Sequence, residues 1–190
     1  MEDIYEYPLK QHLGEQVVPV VVDGDSVNRG QLVAFQRENT LGANLYSSVK
    51  GVVTKVTEQS IFIKAVGEQT ADYEPLKGSE PLELIREAGL VGLGGAGFPT
   101  YAKLSKPFEH GGTVIINAAE CEPILSHNIE RIRQKPEQLL RGLRIAMDVV
   151  HATKGVIAIK EKHTEAVKAL REANKDPDIS LTLLEDMYPM

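Results

Sequence analysis

Val91-Gly92-Leu93-Gly94-Gly95-Ala96-Gly97-Phe98-Pro99-Thr100-Tyr101-Ala102-Lys103-Leu104 places four glycines within six residues, directly ahead of an expected helix start at Pro99. Glycine lets a backbone take positive φ and lie close against a ligand. A helix N-terminus adds unpaired N–H groups and a partial positive charge. Together they suit a phosphate or the edge of a flat ring. On composition alone, a flexible glycine loop is the competing reading. The spacing of Gly92, Gly94 and Gly97 also satisfies G-x-G-x-x-G. A dinucleotide-binding turn of that kind needs a strand before it, and here a helix is expected, so a plain Rossmann site is disfavoured.

Around this stretch the chain alternates helices and strands. Ser79 is placed to cap a helix with Pro81 in its first turn, and Gly89 to end it. Residues 113–117, Thr-Val-Ile-Ile-Asn, read as a buried strand. Pro136 opens a longer helix whose Leu139, Leu140, Leu143, Met147 and Val150 recur at helical spacing. Strand 156–159, helix 162–174 and strand 179–184 follow. This succession implies a parallel sheet with right-handed crossovers. Three strands would leave an edge exposed, and the chain stops shortly after the last, so a piece of a longer protein is expected.

Upstream the rhythm is different. Residues 17–22, 31–35, 51–57 and 60–66 are short and rich in Val and Ile, with turns at Asp23-Gly24-Asp25 and Asn28-Arg29-Gly30. A small sandwich or barrel follows. The polar stretch 72–80, with Pro75 and Gly78, reads as a linker. The expected domains are therefore 1–75 and 76–190.

Bulk composition removes several function classes. Apolar residues are 42% and charged residues 25%, the balance of a globular protein. The longest apolar run, 17–22, is broken by Pro19 and ends at Asp23, far short of the roughly 20 residues a membrane helix needs. The start, Met-Glu-Asp-Ile-Tyr-Glu, is acidic, unlike a signal peptide. No lipid contact of its own is expected. The net charge of −6 comes with no basic block, which argues against nucleic acid. Cys121 is the single cysteine, so neither an internal disulfide nor a four-cysteine iron–sulfur cluster can form. His12, His110, His127, His151 and His163 lack metal-ligand spacing, and no metal site is expected.

Gly24-Asp25-Ser26-Val27-Asn28-Arg29-Gly30-Gln31-Leu32-Val33 resembles the G-D-x-V-x-x-G-Q-x-L hairpin of lipoyl and biotinyl carrier domains. Ser48-Val49-Lys50-Gly51-Val52-Val53 resembles their later P-x-x-G-x-V strand. In those carriers a lysine between the two stretches holds the cofactor. Residues 36–46 contain no lysine, so the likeness implies the fold, a barrel-sandwich hybrid, and argues against a swinging arm.

The glycine stretch also resembles the flavin mononucleotide (FMN) loop of RnfC and of the NADH dehydrogenase flavoprotein subunit. The second motif of that family, N-x-x-E-x-E-P, stands here as Asn117-Ala118-Ala119-Glu120-Cys121-Glu122-Pro123. Pro8-Leu9-Lys10-Gln11-His12-Leu13-Gly14 and the hairpin after it resemble the opening of RnfC. The likeness implies an α+β chain in two parts: the barrel-sandwich hybrid, then the first part of an α/β parallel-sheet FMN-binding domain. It further implies that Gly92, Gly94, Gly95, Ala96 and Gly97 line the flavin and its phosphate. Lys103 would supply positive charge, Asn117 a hydrogen bond to the ribityl chain or phosphate, and Glu120 and Glu122 a place near the ring and nicotinamide. No residue is given a catalytic role. NADH would be the electron donor, and the partners would be other subunits of a redox complex and ferredoxin or a similar carrier. The location would be cytoplasmic, at the inner face of the cell membrane. The [4Fe–4S] motifs of RnfC are absent, so clusters are expected elsewhere than on this chain. The alternatives are a docking or assembly module with a degenerate glycine loop, and a lysine-dependent carrier.

Overall fold

The structure is a computed structural model that describes residues 3–93, 95–120 and 124–186. It divides into two units, Met1–Lys103 and Leu104–Met190.

Among the described residues, the first unit holds seven strands: β1 Ile4–Pro8, β2 Val18–Pro19, β3 Ser26–Val27, β4 Leu32–Phe35, β5 Leu45–Tyr46, β6 Gly51–Val56 and β7 Ser60–Ala65. They form two antiparallel sheets, β1-β7-β6-β3 and β2-β4-β5. Alternate residues point inward, and Val27, Val33, Val53, Ile61 and Ile63 meet Leu9 and Val17 in one core. This is the barrel-sandwich arrangement. The expected strand over 17–22 shrinks to Val18–Pro19, since Pro19 has no N–H for a ladder and Val22 N–H turns to the Asp25 carboxylate at 2.8 Å. β1 was not foreseen: of its five residues only Tyr7 is buried, so no alternation marks it.

Helix α1, Pro81–Glu87, and the short helix α2, Thr100–Leu104, follow. Ser79 does not cap α1. The N-cap is Glu80, and Ser79 instead donates its N–H to Glu83 at 3.3 Å. The polar stretch 72–80 is tied down. Glu74 N–H donates to Arg29 O at 3.0 Å, Lys77 N–H to Glu87 Oε1 at 2.9 Å and Gly78 N–H to Glu87 Oε2 at 2.7 Å. These amides hold the Glu87 carboxyl below its ordinary value.

The second unit runs β8 Thr113–Ala118, α3 His127–Gln134, α4 Pro136–Val149, β9 Lys154–Lys160, α5 Thr164–Ala173 and β10 Ile179–Leu184. Its sheet is parallel, in the order β10-β9-β8. Leu143 and Met147 of α4, Ile157 and Ile159 of β9, and Ala166, Val167 and Leu170 of α5 share one core. β8 is an edge strand rather than a buried one: Val114 and Ile116 face the core, while Ile115 is 64% exposed. Among the described residues, no helix is long and apolar enough to cross a membrane.

Candidate functional site

The glycine segment is a closed loop with a short stem. Gly92 N–H donates to Phe98 O at 3.0 Å, Thr100 N–H donates to Leu90 O at 2.8 Å, and Val91 and Pro99 form an antiparallel bridge between them. α1 rather than a strand leads into it, through Gly89 at φ +61°. The helix beyond begins at Thr100, one residue after the expected start, and has five residues.

The tip is open. Gly95 and Ala96 are exposed, and a Cβ built on Gly95 would meet nothing within 4 Å. Leu93 is 94% exposed. The base is packed: Gly97 and Pro99 are buried. Lys103 folds back over the loop. Its Nζ lies 3.4 Å from where a Cβ on Gly92 would stand and 5.8 Å from the centre of the Phe98 ring. Gly92, Gly95, Ala96, Gly97 and Lys103 thus belong to one loop and the helix after it. Gly94 and Glu122 lie outside the described residues.

Asn117 and Glu120 belong to the second unit, at the C-terminal end of β8. Ligands of parallel sheets collect beyond such strand ends. The Asn117 Oδ1 accepts the Ala119 N–H at 3.0 Å, and Glu120 Oε2 accepts from Asn128 Nδ2 at 3.0 Å. The ends of β9 and β10 add groups that sequence reasoning missed. Asp186 accepts from Lys160 Nζ at 2.9 Å and from Lys162 Nζ at 2.7 Å, and the Lys160 side chain is only 11% exposed. These bonds, Lys162 first, hold the Asp186 carboxyl below its ordinary value. Only the crossover topology joins these residues, and the convergence of parallel strand ends is the signal that could have found them.

His163 lies in the field of this cluster. Its Nε2 is buried without a hydrogen-bond partner among the described residues. Burial, then Lys162 and Lys160, push the imidazole below its ordinary value, against Asp186 and Glu120. A lowered folded value means that the unfolded chain binds the proton more readily. The stability it contributes is complete above about pH 6.5 and is lost as pH falls through the folded value. A His163→Leu variant should lose less of its thermal unfolding midpoint between about pH 7 and about pH 5 than the parent. Equal losses would remove His163 from the account.

Among the described residues, no group of three or more His, Cys, Asp or Glu is placed to hold a metal ion. The loop does fit an FMN-like ligand on two counts: backbone open at Gly95, and a cation drawn in over Gly92.

Residues 85–190 match the family described as the Nuo51 FMN-binding domain, and residues 1–70 match the RnfC barrel sandwich hybrid domain. The chain belongs to the RnfC-like family. This RnfC-like chain is 31% identical over 200 residues to the C subunit of the proton-translocating ferredoxin:NAD(+) oxidoreductase complex of Clostridium ljungdahlii, covering 96% of itself and 44% of that relative. It is 31% identical over 208 residues to the C subunit of the ion-translocating oxidoreductase complex of Serratia proteamaculans, covering 100% of itself and 29% of the relative. For the protein of the same description in Erwinia tasmaniensis the figures are 32% over 201 residues, 96% and 25%. The RnfC-like chain therefore spans less than half the length of these relatives. Residues 85–103 fall within the FMN-binding match yet pack in the first unit.

Proposed function

We propose that this chain provides the first part of an FMN site in an electron-transfer subunit that takes electrons from NADH. The observation that carries the reading is the glycine loop, with backbone open at Gly95 and the Lys103 ammonium held over Gly92. Gly92, Gly94, Gly95, Ala96 and Gly97 would line the flavin. Lys103 would set a positive charge beside its phosphate or its reduced ring. Asn117 would hydrogen-bond the ribityl chain or phosphate, and Glu120 and Glu122 would stand near the ring and nicotinamide. When bound, FMN supplies the exchange between two-electron and one-electron transfer. The chain's own part is to bind, orient and charge-balance it.

The barrel-sandwich domain is assigned to 1–75 and the first part of the FMN domain to 76–190, which the matches to 1–70 and 85–190 support. The protein would sit at the cytoplasmic face of a membrane complex, beside other subunits. Its electrons would leave through iron–sulfur clusters elsewhere than on this chain, toward ferredoxin or a similar carrier. The names of the relatives, C subunits of ion-translocating oxidoreductase complexes, support the part of this setting that places other subunits beside the chain.

Titration of the chain with FMN, followed by fluorescence quenching, tests the site. Because nothing lies within 4 Å of a Cβ on Gly95, a Gly95→Trp side chain fills ligand space and not protein. It should abolish binding and leave the unfolding midpoint unchanged. Lys103→Ala should weaken binding by roughly tenfold, the scale of one charge-assisted hydrogen bond. Parent-like binding by Gly95→Trp, or no binding even by a chain extended to the length of its relatives, would favour a docking module instead.

A further inference from the structure

We infer that the barrel unit is the seat of the glycine loop and that Gln36 is its positioning residue. The inference rests on the flavin reading of that loop. Gln36 is polar yet only 9% exposed, at the end of β4. Its Nε2 donates to the Tyr101 hydroxyl at 2.8 Å, a residue 65 positions ahead, and also to Thr40 O. Tyr101 stands in α2, two residues before Lys103. One buried amide thus ties the barrel to the helix that carries the loop's cation.

The other arm of the loop is held in the same way. Leu13 N–H donates to Gly97 O at 3.2 Å, and a Cβ on Gly97 would stand 3.0 Å from His12 Cα. The His12 ring, 6% exposed, accepts the Ala43 N–H on Nε2 at 3.1 Å. The lead-in helix is gripped too: Asn44 Nδ2 donates to Glu87 O at 3.4 Å, and the Tyr46 hydroxyl donates to the same oxygen. Residues 11–15 and 36–46 therefore touch the entry, base and exit of the loop, and leave only its tip open. A swinging segment would not be pinned at its root. A binding loop of fixed shape would be, because ordering it in advance spares that loss on binding.

The test uses the whole chain with Gln36→Leu and with Tyr101→Phe. Three quantities are read: amide hydrogen exchange over residues 90–103, exchange in β6 and β7, and FMN affinity. Each single variant removes the bond from Gln36 to α2 while the remaining partner keeps Thr40 O, so exchange over 90–103 should quicken and FMN affinity fall, each by about fivefold to tenfold. β6 and β7 should keep their protection, which a general loss of stability would not allow. The double variant takes both donors from Thr40 O, Gln36 Nε2 and the Tyr101 hydroxyl, and should lose at least as much as either single variant. If Gln36→Leu fails to fold, Tyr101→Phe carries the same readouts with one oxygen removed. Unchanged exchange and affinity in Tyr101→Phe would overturn the seat while the flavin reading stands. Quickened exchange in a chain that binds no FMN even when extended to the length of its relatives would sink the flavin reading and keep the seat.

Discussion

Gly89→Ala should lower the thermal unfolding midpoint by roughly 10 °C, the scale of about 3 kcal/mol or more in a domain of this size. Two causes add. Gly89 ends α1 with φ at +61°, the left-handed region, where a Cβ costs about 1–2 kcal/mol. The added Cβ would also lie 2.2 Å from the Asn44 carbonyl oxygen and 3.1 Å from its carbon. Both atoms are backbone, so no side chain can rotate away. Asn44 itself cannot yield freely, since its Oδ1 accepts the Gln36 N–H at 2.9 Å. Gly67→Ala separates the two causes. Gly67 has φ +72° but nothing within 4 Å of its Cβ, so it should show the conformational cost alone. Circular dichroism melts of both variants decide it, and equal shifts would mean that the Asn44 contact is slack.

Leu143→Ala should destabilise the second unit by about 3–4 kcal/mol, within the range of buried leucine truncations. Leu143 is fully buried in α4 and faces β9 across the core of the unit. The helix comes this close because Gly155 begins the buried part of β9. A Cβ there would sit 2.6 Å from Met147 Sδ and 3.1 Å from both Leu143 Cδ2 and Ile179 Cγ1. Gly155→Ala alone should therefore overpack the core and cost about 1–3 kcal/mol. With Leu143 already truncated, one of those contacts is gone, so the double variant should lose less than the two single losses added together. Urea unfolding of the four chains measures the coupling, and strict additivity would mean that the two sites do not share a space.

These contrasts follow what was legible in the order of residues. The long helix was, because Leu143, Met147 and Val150 recur on one face and all three are buried. α3 was not: Ile129 and Ile132 are its only apolar residues, too few to mark a period. β8 reads as buried because Val-Ile-Ile is apolar throughout, but its place at the sheet edge is a property of topology. The glycine loop was legible as a loop because four glycines fall within six residues. Lys160, His163 and Asp186 were not, because nothing but the crossovers brings them together. Gln36 and Tyr101 show the same limit, with an ordinary glutamine taking its meaning from a tyrosine 65 residues away.

The stretch 72–80 has the composition of a loose tether, and nine such residues could extend roughly 30 Å. A tether of that kind would let whatever follows wander through a large volume and would dilute any encounter between its two ends. With Lys77 and Gly78 fastened to one carboxylate and Glu74 to Arg29, almost none of that reach is available. The segment behaves as a strap, so lengthening it with a few inserted residues should change little, whereas Glu87→Gln would let it lift.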